Sequence, residues 1–137
     1  MKYYEVVCAV IIKDDKIFIT KRGSKGECAF KWEFPGGKIE NGETHEQALV
    51  REIFEELSSK IAVNDYINTV NYEYQTFKLT MHAYYCTLLE GSLSISEHLD
   101  AKWIYSSDLI NYDFAPADKP IIEILMSRNN ILNERSY

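Results

Sequence analysis

Six glutamates crowd the segment from Gly37 to Leu57, namely Glu40, Glu43, Glu46, Glu52, Glu55 and Glu56, against only Lys38 and Arg51. In the same segment Leu49, Val50, Ile53, Phe54 and Leu57 recur with helical period, so a helix here packs one face on a core. Thr44 and Gln47 have the spacing of a capping box and place the helix start at Thr44. Steps of three and four relate residues 52, 55 and 56. Glu52, Glu55 and Glu56 therefore share a face turned away from Leu49, Ile53 and Leu57. The fold must supply a core for one side of this helix and a partner for the acidic side.

The flanking pattern is mostly extended. Tyr3 to Ile12 reads as a strand, Asp14-Asp15 as a turn, and Lys16 to Arg22 as the second arm of a hairpin. Gly23 to Lys31 is a polar loop, Trp32-Glu33-Phe34 a short extended piece, and Pro35-Gly36-Gly37 an expected break in regular structure. Lys38 to Gly42 ends in an Asn-Gly turn signal. Tyr66 to Gln75 and Lys78 to Leu89 read as two strands, with Gly91 expected to close their hairpin, and Lys102 to Tyr105 as another strand. A second helix is expected from about Asp118 to Arg128, with Ile121, Ile122, Leu125 and Met126 inward. Strict βαβ alternation is absent, so the expected class is α+β, layered around a mixed sheet, with residues 1–137 as one domain.

Fifteen Lys and Arg against 21 Asp and Glu give a net charge of −6, which offers no basic footprint for nucleic acid. No signal peptide and no membrane-spanning run is read from the chain. Cys8, Cys28 and Cys86 are widely spaced and read as reduced thiols in a cytoplasmic protein. His45, His82 and His98 lack zinc-site spacing, so no structural zinc is expected. Monomer and homodimer both remain open.

Like charges at helical spacing cost a few tenths of a kcal/mol per pair in water. When partly enclosed, two unit charges about 4 Å apart repel by roughly 4 kcal/mol at an effective dielectric near 20. An enclosed set of three carboxylates therefore holds protons or binds a cation, and hard ions such as Mg²⁺ favour carboxylate oxygen and bridge to phosphates. A Glu-rich helix face is also what a solvated helix shows, so the flanking residues decide.

Those residues are Gly37, Glu43 and then Arg51-Glu52-Ile53-Phe54-Glu55-Glu56, at spacings of five and seven intervening residues. The pattern resembles the Nudix box, G-x5-E-x7-R-E-U-x-E-E-x-G-U, at seven of nine specified positions. Ser58 and Ser59 stand where the box has Gly and an aliphatic residue, which leaves the helix exit to be explained. Ile17 to Arg22, Trp32 to Glu40 and Phe114 to Pro120 extend the resemblance to the MutT branch of that family.

The resemblance implies an α/β/α sandwich around a mixed sheet and hydrolysis of a nucleoside diphosphate linkage with Mg²⁺ or Mn²⁺. For the MutT branch it implies release of a nucleoside monophosphate and pyrophosphate from small-molecule nucleotides such as CTP or 8-oxo-dGTP. It makes Glu55 and Glu56 metal ligands with the Gly36 carbonyl, and Glu52 a further ligand or the base that activates water. Arg51 would orient the glutamates, and Glu97 would be a late metal ligand, although the residue by itself reads as an exposed loop charge and only the resemblance makes it a ligand. Lys38 is a candidate phosphate contact or a surface lysine. Arg22, Phe34 and Asp118 match positions that line the base site; Asp118, just before Lys-Pro, also suits a helix N-cap. Other substrates implied by the family are ADP-ribose, sugar nucleotides and dinucleoside polyphosphates. A non-catalytic sensing domain is the remaining class, against which all three box glutamates of the helix are present.

Overall fold

β1 (Lys2–Lys13) runs through the middle of a seven-stranded mixed sheet. The computed structural model describes residues 1–135, with burial known through residue 128. Along β1 successive side chains enter opposite cores: Val7, Ala9 and Ile11 pack with the first helix, while Cys8 and Val10 pack with the second. Burial on both faces is why this strand reads as a continuous apolar run and not as an alternation.

Asp14 and Asp15 both take positive φ, 52° and 64°, which lets a two-residue turn lead into β2 (Lys16–Lys21). β3 (Trp32–Glu33) pairs with one edge of β2, and β7 (Asp100–Tyr105) lies along its other edge. β5 (Lys60–Glu73) and β6 (Phe77–Glu90) form a long antiparallel hairpin, and β6 runs parallel to β1 from Lys2↔Phe77 to Ile11↔Cys86. Helix α1 (His45–Leu57) covers one face and helix α2 (Lys119–Arg135) the other, giving the expected α/β/α sandwich.

The expected break at Pro35-Gly36-Gly37 holds only at Pro35, which lies between β3 and the next strand. Gly36–Lys38 forms β4, antiparallel to β1 with Cys8↔Gly36 and Val6↔Lys38. The glycines serve close approach: a Cβ on Gly36 would strike the Val7 carbonyl, and one on Gly37 the Glu52 carboxylate.

β5 begins earlier than the expected Tyr66. Its irregular pairing between Val63 and Asn68 changes which side chains face inward, so Ile61 packs under α1 while Ile67 and Val70 pack under α2. That switch erases the period-two signal over the first residues of the strand. Gly91 does not close the hairpin either. The turn lies at Tyr74–Phe77, where the Tyr74 N–H donates to the Phe77 carbonyl at 2.8 Å, and Gly91 sits at the open end against Ser59.

The capping box of α1 is formed: the Gln47 N–H donates to the Thr44 hydroxyl at 3.1 Å and the Thr44 N–H to the Gln47 side chain at 3.0 Å. Ala48, Leu49, Ile53 and Leu57 are buried, whereas Phe54 is 55% exposed and does not join the core. Ser58 ends the helix in the left-handed region, φ 50° and ψ 38°, taking the conformation the glycine of the box would take. Ser59 is buried; its hydroxyl donates to the Leu57 carbonyl at 2.9 Å and accepts the Leu93 N–H at 2.8 Å. A polar residue thus replaces the aliphatic one by tying the helix exit to the chain after β6. Relief of the left-handed strain, less the backbone entropy glycine loses, predicts that Ser58→Gly stabilises the fold by about 0.5–1 kcal/mol in urea unfolding.

Candidate active site

The acidic face of α1 turns toward β4, and Arg51 stands at its centre. Its Nε donates to Glu43 at 2.7 Å and its Nη2 to the same carboxylate at 2.9 Å, a two-pronged contact. Nη1 reaches Glu52 at 2.9 Å and Glu55 at 3.3 Å, with Glu40 at 3.7 Å, and Nη2 also donates to the Lys38 carbonyl at 3.0 Å. This fork holds Glu43 down to about 2, chiefly through the Arg51 hydrogen bonds. Arg51 does not line the cleft; it hydrogen-bonds Glu52 and Glu55, which do.

Beyond the reach of that guanidinium the balance reverses. Burial, then the Glu52 charge and a shared hydrogen bond with Glu52, push Glu56 up to about 8, with Glu33 and Glu97 adding to the effect. Without a cation, Glu56 therefore keeps its proton near neutral pH. Glu52, Glu55 and Glu56 are not gathered on one point among the described residues, since Glu55 leans to Arg51.

Every expected contact residue lines one cleft of about 1140 Å³: Arg22, Phe34, Gly36, Lys38, Glu52, Glu55, Glu56, Glu97 and Asp118. Lys38 lays its ammonium 4.3 Å from the centre of the Tyr4 ring, which steers it along the cleft wall. At the far end Phe34 is buried and packs on Phe114 with centroids 5.4 Å apart. Asp118 is only 4% exposed, and its carboxyl takes a hydrogen bond from the Phe34 backbone. Burial, reinforced by Glu33 and opposed by Arg22, raises Asp118 well above the ordinary carboxylate range. Cys28, Tyr74 and Ala117 complete this end, the Ala117 N–H donating to the Tyr74 hydroxyl at 3.1 Å.

Glu33 lines the same cleft and was not singled out by the sequence. It pairs with Arg22 at 3.0 Å and adds its charge to the fields felt by both Glu56 and Asp118, so it links the two ends of the cleft. Period two along Trp32-Glu33-Phe34 was the available signal, because Trp32 and Phe34 share a core and turn Glu33 to the other side.

A sandwich with this helix, this guanidinium hub and this cleft defines a Nudix hydrolase. A family profile described as NUDIX domain matches residues 6–124, and the chain belongs to that family. It is 37% identical over 127 residues to the CTP pyrophosphohydrolase of Escherichia coli K12, covering 93% of this chain and 94% of that protein. It is 35% identical over 123 residues to the 8-oxo-dGTP diphosphatase of the same strain, covering 89% of this chain and 95% of that protein. Among solved structures, the E. coli ORF135 protein aligns with a TM-score of 0.82 at 37% identity, covering 93% of this chain and 91% of that one. The MutT protein of methicillin-resistant Staphylococcus aureus 252 aligns at 0.76 and 36% identity, over 93% and 99%. Among the described residues no helix is long and apolar enough to cross a membrane.

Nudix hydrolases work with divalent metals, and the donor set here fits a hard one. The ligating groups are carboxylate oxygens, and the mutual repulsion that raises Glu56 is what a bound cation would relieve. Linkage gives a test. Glu56 binds its proton up to about 8 when folded and only to its ordinary 4.5 when unfolded, so its stabilisation is lost as pH rises toward 8. Asp118 acts in the same direction, while His82, held below 6.5, acts oppositely only under that pH. Chelator-treated protein should therefore lose Tm from pH 6.5 to pH 8, and Glu56→Gln should flatten the decline. A divalent ion should raise Tm more at the upper end of this range.

Proposed function

We propose that this chain is a Mg²⁺-dependent nucleoside triphosphate pyrophosphohydrolase, with Mn²⁺ able to substitute, that sanitises or balances the nucleotide pool and prefers cytidine-type bases. The observation that carries this reading is one cleft with a carboxylate cluster at one end and a buried, hydrogen-bonded carboxyl at the other. A triphosphate and its base need those two environments at once. The likeness to a CTP pyrophosphohydrolase along nearly the whole length of both chains supports the same substrate class.

In this reading Glu52, Glu55, Glu56, Glu97 and the Gly36 carbonyl hold the metal. The bound metal supplies charge neutralisation for the polyphosphate and its leaving group. Glu52 receives the proton of the attacking water as the new P–O bond forms and the bond between the α and β phosphates breaks, leaving a monophosphate and pyrophosphate. Arg51 keeps Glu52 aimed without touching substrate, and Lys38 leaves the Tyr4 ring for a phosphate oxygen. Arg22 and Phe34 frame the base. A neutral Asp118 donates through its O–H to cytosine N3 and accepts from N4 through its carbonyl oxygen. The whole chain acts as one Nudix domain in the cytoplasm, where nucleoside triphosphates are used; the three buried free thiols suit that compartment.

Purified protein and its Glu52→Gln variant, given Mg²⁺ with CTP, dCTP, 5-methyl-dCTP, 8-oxo-dGTP, dGTP or ADP-ribose, test the reading by pyrophosphate against phosphate release. Cytidine nucleotides should release pyrophosphate fastest, and Glu52→Gln should lower kcat by about 10²–10⁴ if Glu52 is the base. Wild-type inactivity across the panel would turn the reading toward a sensing domain. Asp118→Ala, which removes both the donor and the acceptor, should slow cytidine nucleotides more than 8-oxo-dGTP, and an unchanged ratio removes Asp118 from base selection.

A further inference from the structure

Another group of metal-ligating side chains lies at the opposite end of α1. His45 opens the helix, about 15 Å along its axis from Glu55. Here it meets His82 of β6 and Glu5 of β1, and one ligand atom from each of the three lies within 4.8 Å of the others. The two imidazoles stack, with centroids 4.1 Å apart and planes 24° from parallel.

The hydrogen bonds around this pair are those a metal site requires. Nδ1 of His45 lies 2.7 Å from the Tyr84 hydroxyl, and Nδ1 of His82 lies 2.8 Å from the Thr69 hydroxyl. With the Nδ1–H groups donating to these oxygens, the lone pair of each ring sits on Nε2. The Nε2 of His82 is buried with no hydrogen-bond partner, and the nearest Glu5 carboxylate oxygen stands 3.7 Å away, too far to satisfy it. Burial and the neighbouring His45 hold His82 below its usual 6.5, so the ring is neutral and free to ligate near pH 7. A histidine pair kept only for packing would not leave that nitrogen unpaired beside a carboxylate.

The geometry points to a second divalent-metal site, of the Zn²⁺ class, formed by Nε2 of His45, Nε2 of His82 and the carboxylate of Glu5. Two imidazoles and one carboxylate suit a borderline ion with a water in the fourth position, whereas the all-oxygen cleft suits a hard ion. Tyr84 and Thr69 are the outer partners that orient the rings. Binding tilts the rings out of their stack, because bonds of 2.0–2.1 Å to one tetrahedral ion bring ligand nitrogens to about 3.3 Å apart. The ion clamps the first turn of α1 onto β1 and β6, so the helix is anchored at the end away from Arg51.

Chelator-stripped protein in excess Mg²⁺, added to occupy the carboxylate cleft as the proposed function requires, is titrated with Zn²⁺ by calorimetry and watched by ¹⁵N chemical shifts of the imidazoles. One Zn²⁺ equivalent should bind, shift Nε2 of His45 and His82, and leave His98, which borders the cleft, unmoved. His82→Gln and His45→Asn should each lose that equivalent, and Tyr84→Phe should weaken it by about 10–100-fold. The Glu52→Gln/Glu56→Gln double variant should keep it. Zn²⁺ that shifts His98 alone, or that shifts no imidazole, overturns the site in the wild-type protein without recourse to variants. Retention in both histidine variants, or loss in the double glutamate variant, overturns it as well.

Discussion

Repulsion among carboxylates that the chain places side by side is the constraint on which the rest of the structure depends. The guanidinium of Arg51 answers it for Glu43, Glu52 and Glu55 and, through the Lys38 carbonyl, also ties β4 to α1. A planar fork with five donors is the side chain suited to this task, since an ammonium could not meet so many oxygens in one plane. What Arg51 leaves uncompensated is Glu56, beside Glu52 and within the field of Glu33 and Glu97. The cleft is thus lined by carboxylates that Arg51 compensates and by one, Glu56, that it does not.

The helix and its capping box were legible because they depend on residues at most four apart, and a local spacing survives any tertiary context. The box motif carried the glutamates and Arg51 in the same way. Phe34, Glu97 and Asp118 came only through the resemblance, because their approach to α1 is a matter of strand register and loop path. The histidine pair was invisible for a related reason: its members lie on a helix start and a distant strand, with no spacing rule joining them. Gly36-Gly37 misled for a different reason. The residue types that break regular structure also permit two backbones, or a backbone and a carboxylate, to touch.

Ser58 and Ser59 show how a departure from a family pattern is absorbed. The left-handed conformation persists without glycine, and the buried hydroxyl of Ser59 recruits the Leu93 N–H in place of an aliphatic contact. The same exit geometry is therefore held by hydrogen bonding, which is directional, where packing would be more forgiving. Leu93 itself takes a positive φ of 54°, so the recruited segment bends to meet the hydroxyl.

β1 changes partners on one edge along its length. Val6 to Cys8 pair with β4, Ile12 and Lys13 pair with β2, and between them the Ala9 N–H donates to the Pro35 carbonyl at 2.8 Å. The sheet therefore opens like two pages bound along a single spine. Arg22 follows the end of β2 on one page, while β4 and the acidic helix edge the other. The span between the two ends of the cleft is set by a rigid strand with both faces buried, and not by a loop that could lengthen. A molecule entering such a gap is measured by the backbone before any side chain reads it.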